Sequence, residues 1–313
     1  MNWNSTRSSM NLQENQSFNF NKVFDSNTRR FESKLSKFLE NAFVLTTCNA
    51  TTAIMGIFAA LGITDGEVIT TPLSWAGTLS GPLLLNNTVR FAKLEEPTLT
   101  MDPKSIEEVI TPQTRCVLTS DFLGMPVHLD QIRDICDKHH LMLIHDAATS
   151  FGSIYQGRFS GYYADVCIHS FGRNKAVTTG EGGCVSTRRE DLFEKLLNCM
   201  AHPERQRFQL GKENLFAMNT TMHPFAVQYG LETFDSQMDK LCRHRDVVIE
   251  RVQEISPEIA FSEDTLPNYY KPFFDISKYR ELSEDWQDIP YESLSDSTPQ
   301  PENYKVATDL CLH

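Results

Sequence analysis

Short runs of apolar and β-branched residues alternate with segments of three-and-four apolar spacing through the first two thirds of the chain. Residues 43–47, 67–71, 89–94, 115–120, 141–145, 166–170 and 183–187 read as strands. Between them, 51–61, 75–85, 102–110, 128–140 and 189–200 read as helices; in the fourth of these, Leu129, Ile132, Ile135 and Cys136 fall on one face. This rhythm predicts an α/β fold, a mostly parallel sheet flanked by helices on both sides. In such sheets ligands collect beyond the carboxyl ends of the strands. After His202 the rhythm changes. Residues 224–254 read as one long helix or two successive ones, with Leu231, Phe234, Met238, Leu241 and Val248 turned inward. Residues 281–304 hold seven acidic residues, no Lys or Arg, and Pro290, Pro299 and Pro301, a composition of extended loops.

Composition adds bounds to that pattern. A chain of 313 residues, 40% hydrophobic and 22% charged, can bury a sizeable core in one large domain or one large and one small. Lys and Arg total 29 against 41 Asp and Glu, a net charge of −12. That balance argues against non-specific binding to nucleic acid or anionic membranes, which need a positive field, and leaves room for a local basic pocket. The longest apolar run, 53–63, falls short of the roughly 20 residues of a membrane span. Residues 1–21 are rich in Asn and Ser and lack the apolar centre of a secretory signal. Eight cysteines are scattered without a C-x-x-C pair, the usage of free thiols in a reducing cytoplasm; neither a metal nor a disulfide role is expected.

Four places could carry chemistry. Lys175 follows the strand at 166–170 and precedes the glycine-rich Thr178-Thr-Gly-Glu-Gly-Gly183. Desolvation there would lower its pKa and make it a nucleophile toward a carbonyl, although most lysines are solvated surface charges. Asp146 closes the strand at 141–145, where a buried carboxylate needs a partner: a protonated ring nitrogen, a helix cap or a salt bridge. Asn49, Ala50 and Thr51 stand at the strand-to-helix turn, where free N–H groups and a hydroxyl can hold a phosphate or simply cap the helix. Trp75 can stack on a planar ring or fill the core. In that order, a phosphate cradle, a stacking aromatic, a strand-end carboxylate and a strand-end lysine describe a pyridoxal phosphate site.

Taken together, the chain resembles the sugar aminotransferase (DegT/DnrJ/StrS) family of pyridoxal-phosphate enzymes from about Arg30-Phe-Glu32 onward. The matching segments are Cys48-Asn-Ala-Thr51, Thr71-Pro-Leu-Ser-Trp75, Asp146-Ala-Ala148, Ser170-Phe-Gly-Arg-Asn-Lys175 and Thr179-Gly-Glu-Gly-Gly183. The resemblance implies the aspartate-aminotransferase-like fold (type I), with a polar arm at 1–24, a large cofactor domain at 25–240 and a small α+β domain at 241–313, short for the family. It implies pyridoxal 5'-phosphate as cofactor, held by Lys175 as a Schiff base. Asp146 would face its ring nitrogen, Ala50, Thr51 and Ser170 its phosphate, and Trp75 its ring. Asn219 matches the residue that family members reach across a dimer interface to the phosphate, implying a homodimer with shared active sites. The implied activity is transfer of an amino group from glutamate or glutamine to a keto sugar, nucleotide-linked, in the cytoplasm. Sugar dehydratases of the family carry His in place of this lysine, so Lys175 favours amino transfer. Two departures stand out: Thr149 replaces the usual Gln or His near the cofactor's 3-oxygen, and Thr221 and Met222 stand where an Arg usually follows the cross-subunit Asn. The alternatives are another pyridoxal-phosphate reaction on an amino acid, elimination or carbon–carbon bond chemistry, and a non-catalytic cofactor-binding regulator.

Overall fold

The structure is a computed structural model and describes residues 26–255, apart from 41, 96–97 and 123, together with 264–268. The arm expected at 1–24, the acidic stretch 281–304 and most of the expected domain at 241–313 lie outside the described residues. The chain begins with α1 (Ser26–Phe38), β1 (Phe43–Thr47), α2 (Ala50–Leu61), β2 (Glu67–Thr70), α3 (Ala76–Leu84) and β3 (Thr88–Phe91). The two-residue strands β4 (Leu94–Glu95) and β5 (Thr100–Met101) follow, then α4 (Pro103–Val109), β6 (Thr114–Ser120), α5 (Leu129–Lys138) and β7 (Met142–Asp146). A small hairpin, β8 (Ile154–Tyr155) and β9 (Arg158–Phe159), precedes β10 (Val166–Ser170), β11 (Gly183–Thr187), α6 (Glu190–Met200), α7 (Pro203–Leu210) and α8 (Pro224–Ile255). The segment at 224–254 is therefore one helix.

Seven strands form one sheet in the order β1-β11-β10-β7-β6-β2-β3. The run from β10 to β3 is parallel, and only β11 opposes its neighbours β1 and β10. The mostly parallel sheet is thus present, and the exception has a physical cause. Parallel neighbours need a crossover, usually helical; the link from Phe171 to Gly182 contains no helix and returns as a hairpin. Lys175 lies in that link. The strand expected at 89–94 divides, because the chain leaves the sheet after Phe91 and Leu94–Glu95 pairs instead with β5.

Alternate residues of the central strands feed opposite layers. Leu45, Leu118, Ile144, Ile168 and Val185 pack against α2 and α6 through Ile54, Ile57, Phe58 and Leu196. Their neighbours Val117 and Leu143 meet α4 and α5, while Val44 and Cys184 meet α1 and α8 through Phe31, Leu35 and Phe234. Seven cysteines fall among the described residues, and all seven are free thiols.

Helices α1 and α7 have no counterpart in the sequence pattern. Their tie is a buried ion pair: Arg205 donates from both terminal nitrogens to the two Glu32 oxygens, each at 2.9 Å. Glu32 also accepts from the Thr46 backbone and hydroxyl, both at 2.8 Å, so one carboxylate joins α1, β1 and α7. Glu32→Gln would leave the Arg205 charge buried without its counter-charge. We expect a loss of about 3 kcal/mol, the lower end for a broken buried pair because the amide keeps some hydrogen bonds. Urea unfolding of the variant beside the parent measures it.

Candidate active site

The carboxyl ends of β6, β7 and β10 and the amino ends of α2 and α3 surround one cavity of about 320 Å³. Ala50, Thr51, Trp75, Asp146, Thr149, Ser170 and Lys175 all line it. Asn219 does not. It is exposed at a positive φ of 52°, and its amide oxygen accepts from the Thr221 hydroxyl at 2.8 Å. Its neighbour Thr220 is fixed to the fold, accepting from the Cys48 N–H at 2.6 Å and donating to Met200 at 2.8 Å.

The amino end of α2 combines capping and anion binding. Asn49, in an extended conformation, is the cap, and its side chain accepts from the Thr52 N–H at 2.8 Å. That uses one of the first-turn donors; those of Ala50 and Thr51 have no carbonyl a turn earlier to meet and can serve an anion. Gly183 lets β11 run close beneath them. A Cβ there would lie 2.7 Å from the His169 carbonyl oxygen and 3.0 Å from the Ala50 nitrogen. Ser170, at the end of β10, adds a hydroxyl to the same corner of the cavity.

Trp75 caps α3 and stays 44% exposed while lining the cavity, so it does not fill the core. One turn on, Thr78 donates its hydroxyl to Asp146 Oδ2 at 2.7 Å, and the Ala148 N–H donates to Oδ1 at 3.0 Å. The carboxylate is buried and keeps lone pairs for a further donor. The pattern 75–78 on one helical turn was the available signal for Thr78, and sequence reasoning missed it.

Thr149 is oriented by its hydroxyl, which donates to the Asp121 carbonyl at 2.7 Å. Asp121 is part of a buried network behind the cavity wall that the sequence did not reveal. Its Oδ1 accepts from the Val127 N–H at 2.9 Å; its Oδ2 accepts from the Ser160 hydroxyl and faces His145 Nε2 at 3.2 Å. His145 Nδ1 stands 2.8 Å from the Thr119 hydroxyl, which points its own proton at the Ile144 carbonyl, 3.3 Å away. Each ring nitrogen of the buried His145 thus faces an oxygen, Nδ1 the Thr119 hydroxyl and Nε2 the Asp121 carboxylate. Burial would raise the Asp121 carboxyl, but the His145 charge and the hydrogen bonds from His145 and Ser160 outweigh it and hold it below the usual range. Burial, helped by the His145 charge, pushes His169 down to about 3, so this second buried histidine is neutral.

The sign of the Asp121 shift sets a pH dependence. Its folded pKa lies below the unfolded value of about 3.9, so the stabilisation is complete above that value and is lost as pH falls through the folded pKa. Asp121→Asn should cost about 1–3 kcal/mol at pH 7 by removing the carboxylate that His145, Ser160 and the Val127 N–H face, and the penalty should shrink on acidification. Urea titrations of parent and variant at neutral and acid pH check both parts.

The cavity suits a phosphorylated aromatic carbonyl compound. Free N–H donors at α2 match a phosphate, Trp75 an aromatic face, Asp146 a protonated ring nitrogen, and Lys175 a carbonyl carbon. Among the described residues no group of three or more His, Cys, Asp or Glu could hold a metal ion, and no helix is long and apolar enough to cross a membrane.

Residues 11–265 match the model of the DegT/DnrJ/EryC1/StrS aminotransferase family. GDP-perosamine synthase of Escherichia coli O157:H7 is 28% identical over 223 residues, 70% of this chain and 60% of that protein. A putative L-glutamine:3-amino-2,3-dideoxy-scyllo-inosose aminotransferase of Micromonospora echinospora is 32% identical over 179 residues, 57% of this chain and 43% of that protein. The chain thus spans about half the length of these curated relatives. Among solved structures, DesI in the presence of its TDP-sugar product superposes with a TM-score of 0.69 at 24% identity, covering 91% of this chain and 78% of DesI. That likeness shows a shared fold.

Proposed function

The chain belongs to the DegT/DnrJ/EryC1/StrS aminotransferase family, and on that premise we propose that it is a pyridoxal-phosphate-dependent aminotransferase. Its reaction moves an amino group from glutamate or glutamine to a keto sugar carried on a nucleotide. One observation carries the reading: Lys175, Asp146 and the amino end of α2 converge on a single cavity. When bound, pyridoxal phosphate supplies a protonated ring that accepts electrons from the carbon losing its proton.

The chain's own residues do the rest. The Ala50 and Thr51 N–H groups bind the phosphate, with the Thr51 and Ser170 hydroxyls beside them. Trp75 covers one face of the ring and excludes water from it. Asp146, steadied by Thr78 and the Ala148 N–H, would face the ring nitrogen and hold its proton. Lys175 Nζ holds the cofactor between turnovers. With its amine free, Lys175 would take the proton from the donor's α-carbon and pass it on as an acid, contributing about 10²–10⁴-fold. A lysine at this position favours amino transfer over dehydration.

The test is spectroscopic. Purified protein should be yellow, glutamate or glutamine alone should change the absorption and release a keto acid, and a nucleotide-linked keto sugar should restore the original spectrum. A product that has lost oxygen without gaining nitrogen would sink the reading in favour of dehydration. A cytoplasmic setting suits the free thiols of the seven described cysteines.

The proposal extends to a homodimer. Leu215, Phe216, Phe225 and Tyr229 are exposed, Phe216 at 95%, around the segment that carries Asn219. A second copy covering them would bring Asn219 toward the other subunit's phosphate site. Sedimentation at micromolar concentration should give twice 35.7 kDa. A monomer at that concentration removes Asn219 from the site.

A further inference from the structure

The cavity wall carries more charge than cofactor binding uses. Asp146 is held by Thr78 and Ala148, Lys175 is committed to the carbonyl, and the Asp121 carboxylate is turned into its buried network. Arg173 and Glu181 are left, both exposed and both lining the cavity. Arg173 and Lys175 are the cations among its described lining residues.

Most arginines of the fold are paired with carboxylates, as Arg133 with Asp165 and Arg205 with Glu32. Arg173 has no hydrogen-bond or ion-pair partner among the described residues. Its position is nevertheless fixed. The Lys175 N–H donates to the Gly172 carbonyl at 2.9 Å, which makes Arg173 and Asn174 the two central residues of a tight turn. The turn that places Lys175 in the wall therefore places a guanidinium two residues before it. With a net charge of −12, the protein's overall field repels anions, so an anionic substrate must be met by a local cation. A guanidinium offers parallel N–H groups to two oxygens of a carboxylate or phosphate at once.

We propose that Arg173 is a specificity-determining residue that grips the anionic arm of the substrate, a carboxylate or a phosphate, at the mouth of the cavity. This rests on the aminotransferase reading for its choice of substrates. The anion has two sources there: the carboxylates of the amino donor, or the diphosphate of a nucleotide-linked acceptor.

The experiment uses the cofactor-loaded protein and its Arg173→Gln and Arg173→Lys variants; the exposed position leaves the fold undisturbed. Spectral titration with glutamate alone gives the donor's half-saturation, and titration of the amino-loaded form with the acceptor gives the other. Glutarate and pyrophosphate, followed by calorimetry, serve as bare anion probes that need no turnover. For Arg173→Gln we expect half-saturation to rise about ten- to a hundredfold for one partner, the loss of a charge-assisted pair. The limiting rate and the visible band should stay, and Arg173→Lys should fall between. A rise for glutamate and glutarate identifies the donor's carboxylates as the source; a rise for the acceptor and pyrophosphate identifies the diphosphate. Changes below twofold for all four ligands overturn the proposal. A colourless parent protein would defeat the aminotransferase reading instead, and the two anion probes would then decide the role of Arg173 alone.

Discussion

Lys175→Ala is expected to lower turnover by about 10⁴-fold or more, the largest effect of any single replacement, while the protein remains folded. General acid–base catalysis by one positioned group contributes about 10²–10⁴-fold, and in the proposed function the same nitrogen would also hold the cofactor. The turn survives the replacement, because its closing hydrogen bond runs between the backbones of residues 175 and 172. Thermal unfolding should therefore barely change. The spectrum should change, since the cofactor would be held only by its phosphate and ring contacts. Borohydride should fix the cofactor to the parent protein at the peptide containing Lys175 and to the variant nowhere. A small alkylamine should restore part of the rate, which a merely structural lysine would not allow. A variant with an unaltered cofactor band and normal turnover would show that the assignment is wrong.

The strand-helix rhythm was legible because it depends on local periodicity. Seven strands and the helices between them appear close to where 43–200 places them. What the pattern hides is long-range. Helix α7, PERQRFQL, has no apolar stripe to announce it and is anchored by Arg205 to Glu32, 173 positions away. The antiparallel turn of β11 also reflects a missing crossover rather than any residue of the strand itself. At the site, the residue types at strand ends and helix starts marked Ala50, Thr51, Trp75, Asp146 and Lys175, and the resemblance added Thr149 and Ser170. The Trp75 alternatives could be decided only by its surroundings, and the Thr78 contact spans 68 positions. His145 illustrates a different limit. Adjacent strand residues face opposite sides, so period alone says that His145 and Asp146 cannot share the cavity. It does not say that Asp121 waits on the other side.

Asp146→Asn should lower turnover by about a thousandfold, the scale of losing one preorganised electrostatic contact to the reacting system. Asparagine is the informative replacement. Its carbonyl oxygen can accept from the Ala148 N–H while its NH2 donates to the Thr78 hydroxyl, which can accept as well as donate, so both contacts and the fold are kept. Alanine would confound the result by stranding both the Thr78 hydroxyl and the Ala148 N–H. In the proposed function the amide would remove the carboxylate that faces the ring nitrogen, and a ring without its proton is a weak electron acceptor. The loss should therefore fall on the step that breaks the donor's α-carbon–hydrogen bond. Deuterium at that carbon should slow the variant more fully than the parent, because proton abstraction then limits the rate. Thr78→Val separates the charge from its support: it removes one hydrogen bond worth about 1 kcal/mol and should cost roughly tenfold or less. An Asp146→Asn protein that turns over within tenfold of the parent would mean that the carboxylate only anchors α3 to β7. The strand-end aspartate would then be a structural tie, and the electron sink would need its proton from elsewhere.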